Sequence, residues 1–159
     1  TKVTFLLKKK PINNISYGAV ANELSTLKSQ ASPQSICNAI INIRSRKLPD
    51  PQKIGNSGSF FKNPIISNLK LKKIKEKYPE IINYKQSKTH SKIAAGWLIE
   101  MAGWKGYRED DFGVYEKQAL VLVNYGQASG NEIIELSKKI QQSVLEKFDI
   151  MIHPEVNII

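Results

Sequence analysis

Hydrophobic and polar positions alternate at the start of the chain, where Val3, Phe5 and Leu7 are interleaved with Thr4, Leu6 and Lys8. Alternation with period two predicts a strand, stopped by Lys8-Lys9-Lys10-Pro11. Tyr17 to Lys28 reads as weakly helical or irregular. Ser32-Pro33 opens a better helix, with serine as cap and proline at the first helical position, where its missing N–H costs little. Ile36, Ile40 and Ile43 give that helix one apolar face through about Arg46. Leu48-Pro49-Asp50-Pro51 ends it, because a residue before proline is pushed out of helical geometry, and this marks a domain boundary.

Beyond the boundary, Gly55-Asn56-Ser57-Gly58-Ser59 reads as a glycine loop. Leu71, Ile74 and Tyr78 predict a lysine-rich surface helix from about Ser67, closed by Pro79, and residues 80–91 read as a mobile polar connection. Ile93, Ala94, Trp97, Leu98 and Met101 predict an amphipathic helix that Gly103 can end with a left-handed residue. Trp97 and Trp104 read as packing residues, and Glu109-Asp110-Asp111 as an acidic loop. Ala119 to Val123 is a continuous apolar run, best read as a central strand. Ser129 and Glu132 match a capping box, followed by a helix using Ile133, Leu136, Ile140, Val144 and Phe148. Ile150, Ile152, Val156 and Ile158 make a last extended stretch, interrupted by Pro154. Strands and helices mix without a regular βαβ rhythm, which predicts an α+β fold.

Composition narrows the chemistry. The 159 residues suit one ordinary domain or two smaller units, and 41% hydrophobic content argues for a packed core. No apolar run approaches the ~20 residues of a membrane span. The start lacks a signal-peptide pattern, so a cytoplasmic location is expected; it also lacks Met, which suggests a fragment. Cys37 is the only cysteine, and His90 and His153 stand far apart, so no metal site is expected. The formal charge of +10 suits nucleic acid, phosphorylated metabolites or acidic lipid. Lysines solvated on helix faces in a chain rich in Lys, Ile and Asn explain it equally well.

The segment from Gly55 to Pro64 carries the most chemistry. Its glycines and asparagine permit positive φ and leave backbone N–H groups uncovered. Ser59 supplies a hydroxyl, Lys62 a charge and Asn63 an amide, while Phe60 and Phe61 would pin the segment to the core. It is neither a nucleotide P-loop nor a nucleophile elbow. Taken alone, it reads more readily as a structural turn, since a bare Gly-x-x-Gly-Ser is common.

Arg44-Ser45-Arg46-Lys47-Leu48-Pro49-Asp50-Pro51 precedes this decapeptide, and Ile152-His153-Pro154-Glu155-Val156 ends the chain. With Lys92-Ile93-Ala94-Ala95-Gly96-Trp97-Leu98-Ile99 and Lys117 to Asn124, the order resembles the UDP-N-acetylenolpyruvoylglucosamine reductase family over nearly the whole chain. The Tyr84 region and the Ala-Ala-Gly-Trp helix are similar to family members with a longer, tyrosine-bearing substrate loop. The resemblance implies NADPH- and FAD-dependent reduction of UDP-N-acetylglucosamine enolpyruvate to UDP-N-acetylmuramate. That step serves peptidoglycan synthesis, and so cell shape and division. It implies that Ser59 is the proton donor and Glu155 the carboxylate near the reacting group. Lys47, Asn63, Tyr84, Lys92 and Gln118 fall at substrate-binding positions, and Gly58 at a cofactor-binding one.

The same resemblance divides the chain into residues 1–48, the tail of an FAD-binding domain; 49–149, an antiparallel-sheet-plus-helices substrate-binding domain; and 150–159, a strand carrying Glu155. Most flavin contacts, and a Gly-Tyr-Arg segment, fall in the family before the region where this chain starts. The chain alone is therefore expected to bind no FAD tightly and to show no turnover. A monomer without nucleic-acid or membrane partners is expected. The rivals are a UDP-sugar-binding module without redox activity, and a basic nucleic-acid-binding domain, which lacks the usual sequence signatures.

Overall fold

The computed structural model describes residues 2–10, 12–16 and 18–159. They form two compact units that part between Lys47 and Leu48, each described by itself. Among the described residues no helix is long and apolar enough to cross a membrane.

The first unit contains α1 (Val20–Thr26) and α2 (Pro33–Lys47). Ser32 caps α2 as predicted: its Oγ accepts the Ser35 N–H at 3.1 Å, and its carbonyl accepts the Ile36 N–H at 2.9 Å. The buried face is Ile36, Ala39 and Ile43 against Val20 and Leu24, while Ile40 is 38% exposed. Ala39 therefore takes the place expected for Ile40, because the two α-helices approach closely at a small residue. Glu23 is bonded to Arg46, which holds its carboxyl below the usual range and raises the guanidinium.

The strand expected at Val3 to Leu7 is absent. Alternation states a preference, but a strand exists only when a neighbour completes its ladder, and none of the described residues pairs with this stretch. Thr1, Pro11 and Tyr17, which belonged to the predicted strand, its stop and the weak helix, lie outside the described residues.

The second unit holds two antiparallel sheets and three helices. β1 (Gly55–Ser59), β7 (Val121–Asn124), β6 (Phe112–Val114) and β5 (Arg108–Glu109) form one sheet in that order. β2 (Ile65–Ser67), β4 (His90–Ile93) and β3 (Asn83–Lys85) form the other. The apolar run expected as a central strand is β7, bonded on both sides and buried at Val121, Leu122 and Val123. The α+β class is what the chain adopts.

α3 (Asn68–Lys77) starts at Ser67, whose Oγ accepts the Lys70 N–H at 3.2 Å. α4 (Ala95–Met101) ends at Gly103 with φ +89°, as its sequence predicted, but starts later than expected: Ile93 closes β4 and Ala94 is the cap. α5 (Gly130–Phe148) opens with the expected capping box and buries Leu136, Ile140, Val144 and Phe148 along one face. Those residues recur every fourth position, the spacing of one helical face. Against them pack Leu98 and Ile99 of α4, Ile152 and Phe61 in one core. Burying a phenylalanine of this kind contributes roughly 1.5–3 kcal/mol. Trp97 packs with Tyr78 and Phe148, and Trp104 packs edge-on to Tyr107.

Three segments differ from their sequence reading. Residues 80–91 are largely a hairpin, β3 and β4, whose outer face is exposed and polar; composition therefore conceals the strands. The acidic Asp110-Asp111 pair is the turn between β5 and β6, with Asp110 at φ +46°. Tyr107 donates to Glu109, and together with Lys139 this holds the Glu109 carboxyl below its usual range. The glycine segment is itself a strand, β1, with a bulge between Asn56 and Ser59.

Candidate active site

One continuous ribbon, residues 55–67, joins the two sheets and carries Gly58, Ser59 and Asn63 of the sequence-predicted residues. Its bulge needs Gly58, at φ +74°, because a side chain is strained in that conformation. Asn56 stabilises the bend: its Oδ1 accepts the Gly58 N–H at 3.1 Å. Open space surrounds the point where a Cβ of residue 58 would stand.

Immediately after Ser59 the ribbon changes partner. The Phe60 N–H donates to Leu120 O at 2.8 Å, whereas the Phe60 carbonyl accepts the Glu155 N–H at 2.7 Å. The Lys62 N–H in turn donates to His153 O at 2.8 Å, flanking a Phe61–Pro154 bridge. Pro154 fits there because that position in the ladder asks for no N–H. The expected strand over residues 150–159 is thus one bridge with two flanking bonds. Even so, it sets the backbone of Glu155 beside the residue that follows Ser59. Phe60 and Phe61 are 5% and 1% exposed, so the ribbon is pinned to the core as predicted. Ser59 and Glu155 are both exposed. Neither side chain is hydrogen bonded within the described residues.

Asn63 links this end to the second sheet. Ala94, at the start of α4, makes no side-chain cap of its own. Asn63 Oδ1 accepts the Ala95 N–H instead, at 2.8 Å, and Pro64 O accepts the Ile93 N–H, also at 2.8 Å. Part of the expected binding role of Asn63 is therefore structural: its oxygen is engaged, and its NH2 remains. Gln118 reaches the same turn, with its Oε1 accepting the Leu120 N–H at 3.4 Å and lying next to Gly96.

Tyr84 and Lys92 are direct cross-strand partners, and Ile65 faces Lys92 from its other side. Directly opposed residues of an antiparallel pair share a face. The result is a row of Ile65, Lys92 and Tyr84, in which Ile65 is 53% and Tyr84 58% exposed. Lys92 is half-buried between them. Lys47, the last residue of α2, is exposed in the first unit.

Sequence reasoning singled out neither Ile65 nor Gly96. Ile65 is legible only from the strand register. Gly96 had a signal, a glycine inside an amphipathic helix, where the residue lowers stability unless packing requires it.

Comparison with known proteins shows the family. Residues 50–159 match the family described as UDP-N-acetylenolpyruvoylglucosamine reductase, C-terminal domain. A UDP-N-acetylenolpyruvoylglucosamine reductase of Flavobacterium johnsoniae is 49% identical over 161 residues, covering 100% of this chain and 48% of that protein. Its counterpart in Amoebophilus asiaticus is 47% identical, covering 99% and 47%. A third, in Pseudomonas fluorescens, is 45% identical, covering 98% and 46%. The chain spans about half the length of the curated relatives it matches. A family match over most of the chain, and identities near one residue in two along all of it, establish that this chain belongs to the UDP-N-acetylenolpyruvoylglucosamine reductase family.

Proposed function

We propose that this chain is the substrate-binding half of a reductase that converts UDP-N-acetylglucosamine enolpyruvate to UDP-N-acetylmuramate in the cytoplasm, using FAD and NADPH. The observation that carries the reading is the ribbon of residues 55–67. One end brings Ser59 next to the backbone of Glu155, and the other leads to the Ile65–Lys92–Tyr84 row. An anionic nucleotide sugar needs an aromatic surface for its base, cations for its diphosphate, and an acid near its reactive carbon. The ribbon and the strands next to it carry candidates for each: Tyr84, Lys92 and Ser59.

Bound flavin supplies the hydride, drawn from NADPH, that adds to the terminal vinyl carbon. Gly58 is the residue of this chain that would border a bound flavin, as the family resemblance implies. The carbon beside the carboxylate then holds the electron pair and takes a proton from the Ser59 hydroxyl. A serine is a weak acid, so it serves only against so basic a centre. Glu155 stands by the reacting group, Lys92 offers charge to the diphosphate, and Tyr84 closes over the nucleoside. Asn63 and Gln118 donate through the NH2 groups their structural bonds leave over.

The test is turnover after this chain is joined to, or mixed with, the complementary half of a relative. Ser59→Ala should lower kcat by about 10²–10⁴, the usual contribution of a positioned proton donor, with substrate affinity within a few-fold of the parent. Normal turnover in both Ser59→Ala and Glu155→Ala would overturn the assignment. A yellow preparation of residues 1–159 alone that consumes NADPH would overturn the division into halves. UDP-sugar binding that is unaffected by the complementary half, with no redox activity in the mixture, would favour a binding module.

A further inference from the structure

Gly96 stands in the first turn of α4 without a positive φ, where alanine would serve the helix better. Its neighbours account for the missing side chain. A Cβ at residue 96 would lie 3.1 Å from Gln118 Oε1 and 3.3 Å from Leu120 Cγ. The backbone of Gln118 is held independently: its N–H donates to Tyr115 O at 3.3 Å, and its carbonyl accepts the Val121 N–H at 3.0 Å. With the strand end held, the carboxamide oxygen rests in the notch that Gly96 leaves and accepts the Leu120 N–H. The NH2 makes no hydrogen bond within the described residues. Asn63 repeats the pattern one residue earlier on the helix, its oxygen on the Ala95 N–H and its NH2 unbonded within the described residues. Two carboxamides from separate segments thus spend their acceptors on the protein and keep their donors.

We infer that Gly96 is a positioning residue: it seats the Gln118 oxygen so that the Gln118 NH2 is held to donate to an acceptor oxygen of the nucleotide sugar. This rests on the reading above of the chain as a UDP-sugar-binding half. Alanine at residue 96 leaves the helix sound and denies the oxygen its seat, because a contact of 3.1 Å is relieved most easily by rotating the glutamine.

The experiment uses the full 1–159 chain with Gly96→Ala, Gln118→Ala and the double substitution. In ¹⁵N-labelled protein the Gln118 side-chain NH2 signals, identified by their loss in Gln118→Ala, should shift in Gly96→Ala while thermal stability is kept or raised. Unmoved signals overturn the inference. UDP is then titrated into all four proteins. Each single substitution should weaken binding by about 3- to 10-fold, the scale of one hydrogen bond, and the double substitution no more than Gln118→Ala alone. Additive losses, or full affinity in Gly96→Ala when Gln118→Ala has lost it, overturn the positioning role. Shifted signals in a chain whose parent form fails to bind UDP both alone and with the complementary half of a relative overturn the UDP-sugar reading, and with it the ligand named here. Should Gly96→Ala fail to fold, Gln118→Asn withdraws the oxygen while keeping the glycine; unchanged UDP affinity in that variant overturns the inference.

Discussion

The two units bury their apolar residues very unequally. In residues 1–47 the buried cluster is Val20, Leu24 and Ala39, with Ile36 and Ile43 packed on it. In residues 48–159 a single core runs from Phe60 to Ile152 and draws on both sheets and all three helices. The first unit is no less apolar in sequence. Val3, Phe5, Leu6, Leu7 and Ile12 are between 69% and 102% exposed. A hydrophobic pattern is thus a demand for partners, which the second unit meets from its own residues while the first leaves much of its own unmet.

The sharpest way to break this comparison is to separate the units. Residues 48–159 expressed alone should unfold in one cooperative transition, and residues 1–47 alone should show none, followed by circular dichroism on heating. A cooperative melt of residues 1–47 would end the contrast. Next in size, Ile140→Ala, at a position with 0% exposure, should cost about 2–5 kcal/mol in urea unfolding, as core truncations to alanine do. Smaller losses, about 1 kcal/mol each, are expected for Ser129→Ala and Asn63→Ala, because each removes the bond that satisfies a helix N-terminus. Asn63→Asp should keep that stability, since its oxygen can still cap, yet weaken UDP binding through its charge. Either variant at wild-type stability would show that the cap is dispensable.

The smallest effect is one of pH. The Glu132 carboxyl is held below its usual range by the Ser129 N–H and hydroxyl, and Glu109 by Tyr107 and Lys139. Groups with depressed folded pKa values bind fewer protons folded than unfolded. Their stabilisation is therefore present above the ordinary glutamate pKa of about 4.3 and fades as pH falls through the lower, folded values. Urea midpoints of Glu132→Gln and the parent chain should differ at pH 7 and converge at low pH; a constant gap would remove the linkage.

Much of the second unit was legible because local signals and packing agree there. Ser129 with Glu132, the spacing from Leu136 to Phe148, the apolar run at Val121 and Gly103 each have one consistent reading. The hairpin of Asn83–Lys85 and His90–Ile93 was hidden, since its pairing is long-range and its outer face polar. Ile40 misled because periodicity counts only apolar residues of size, whereas the close helix contact selected Ala39. In the candidate site, the glycine ribbon and the terminal glutamate could be picked out by resemblance. That Asn63 and Gln118 spend their oxygens on the protein could not, because this depends on where α4 begins in space.

The backbone pairing of Phe60 and Lys62 with His153 and Glu155 also bears on the order of events during synthesis. It ties the residues just after the first strand of the second unit to residues 153–155, far later in the chain. Contacts so far apart along the chain are closed late in folding. A nascent chain can therefore assemble much of its core before residues 153–155 emerge, and the proposed reaction centre is completed only once they do.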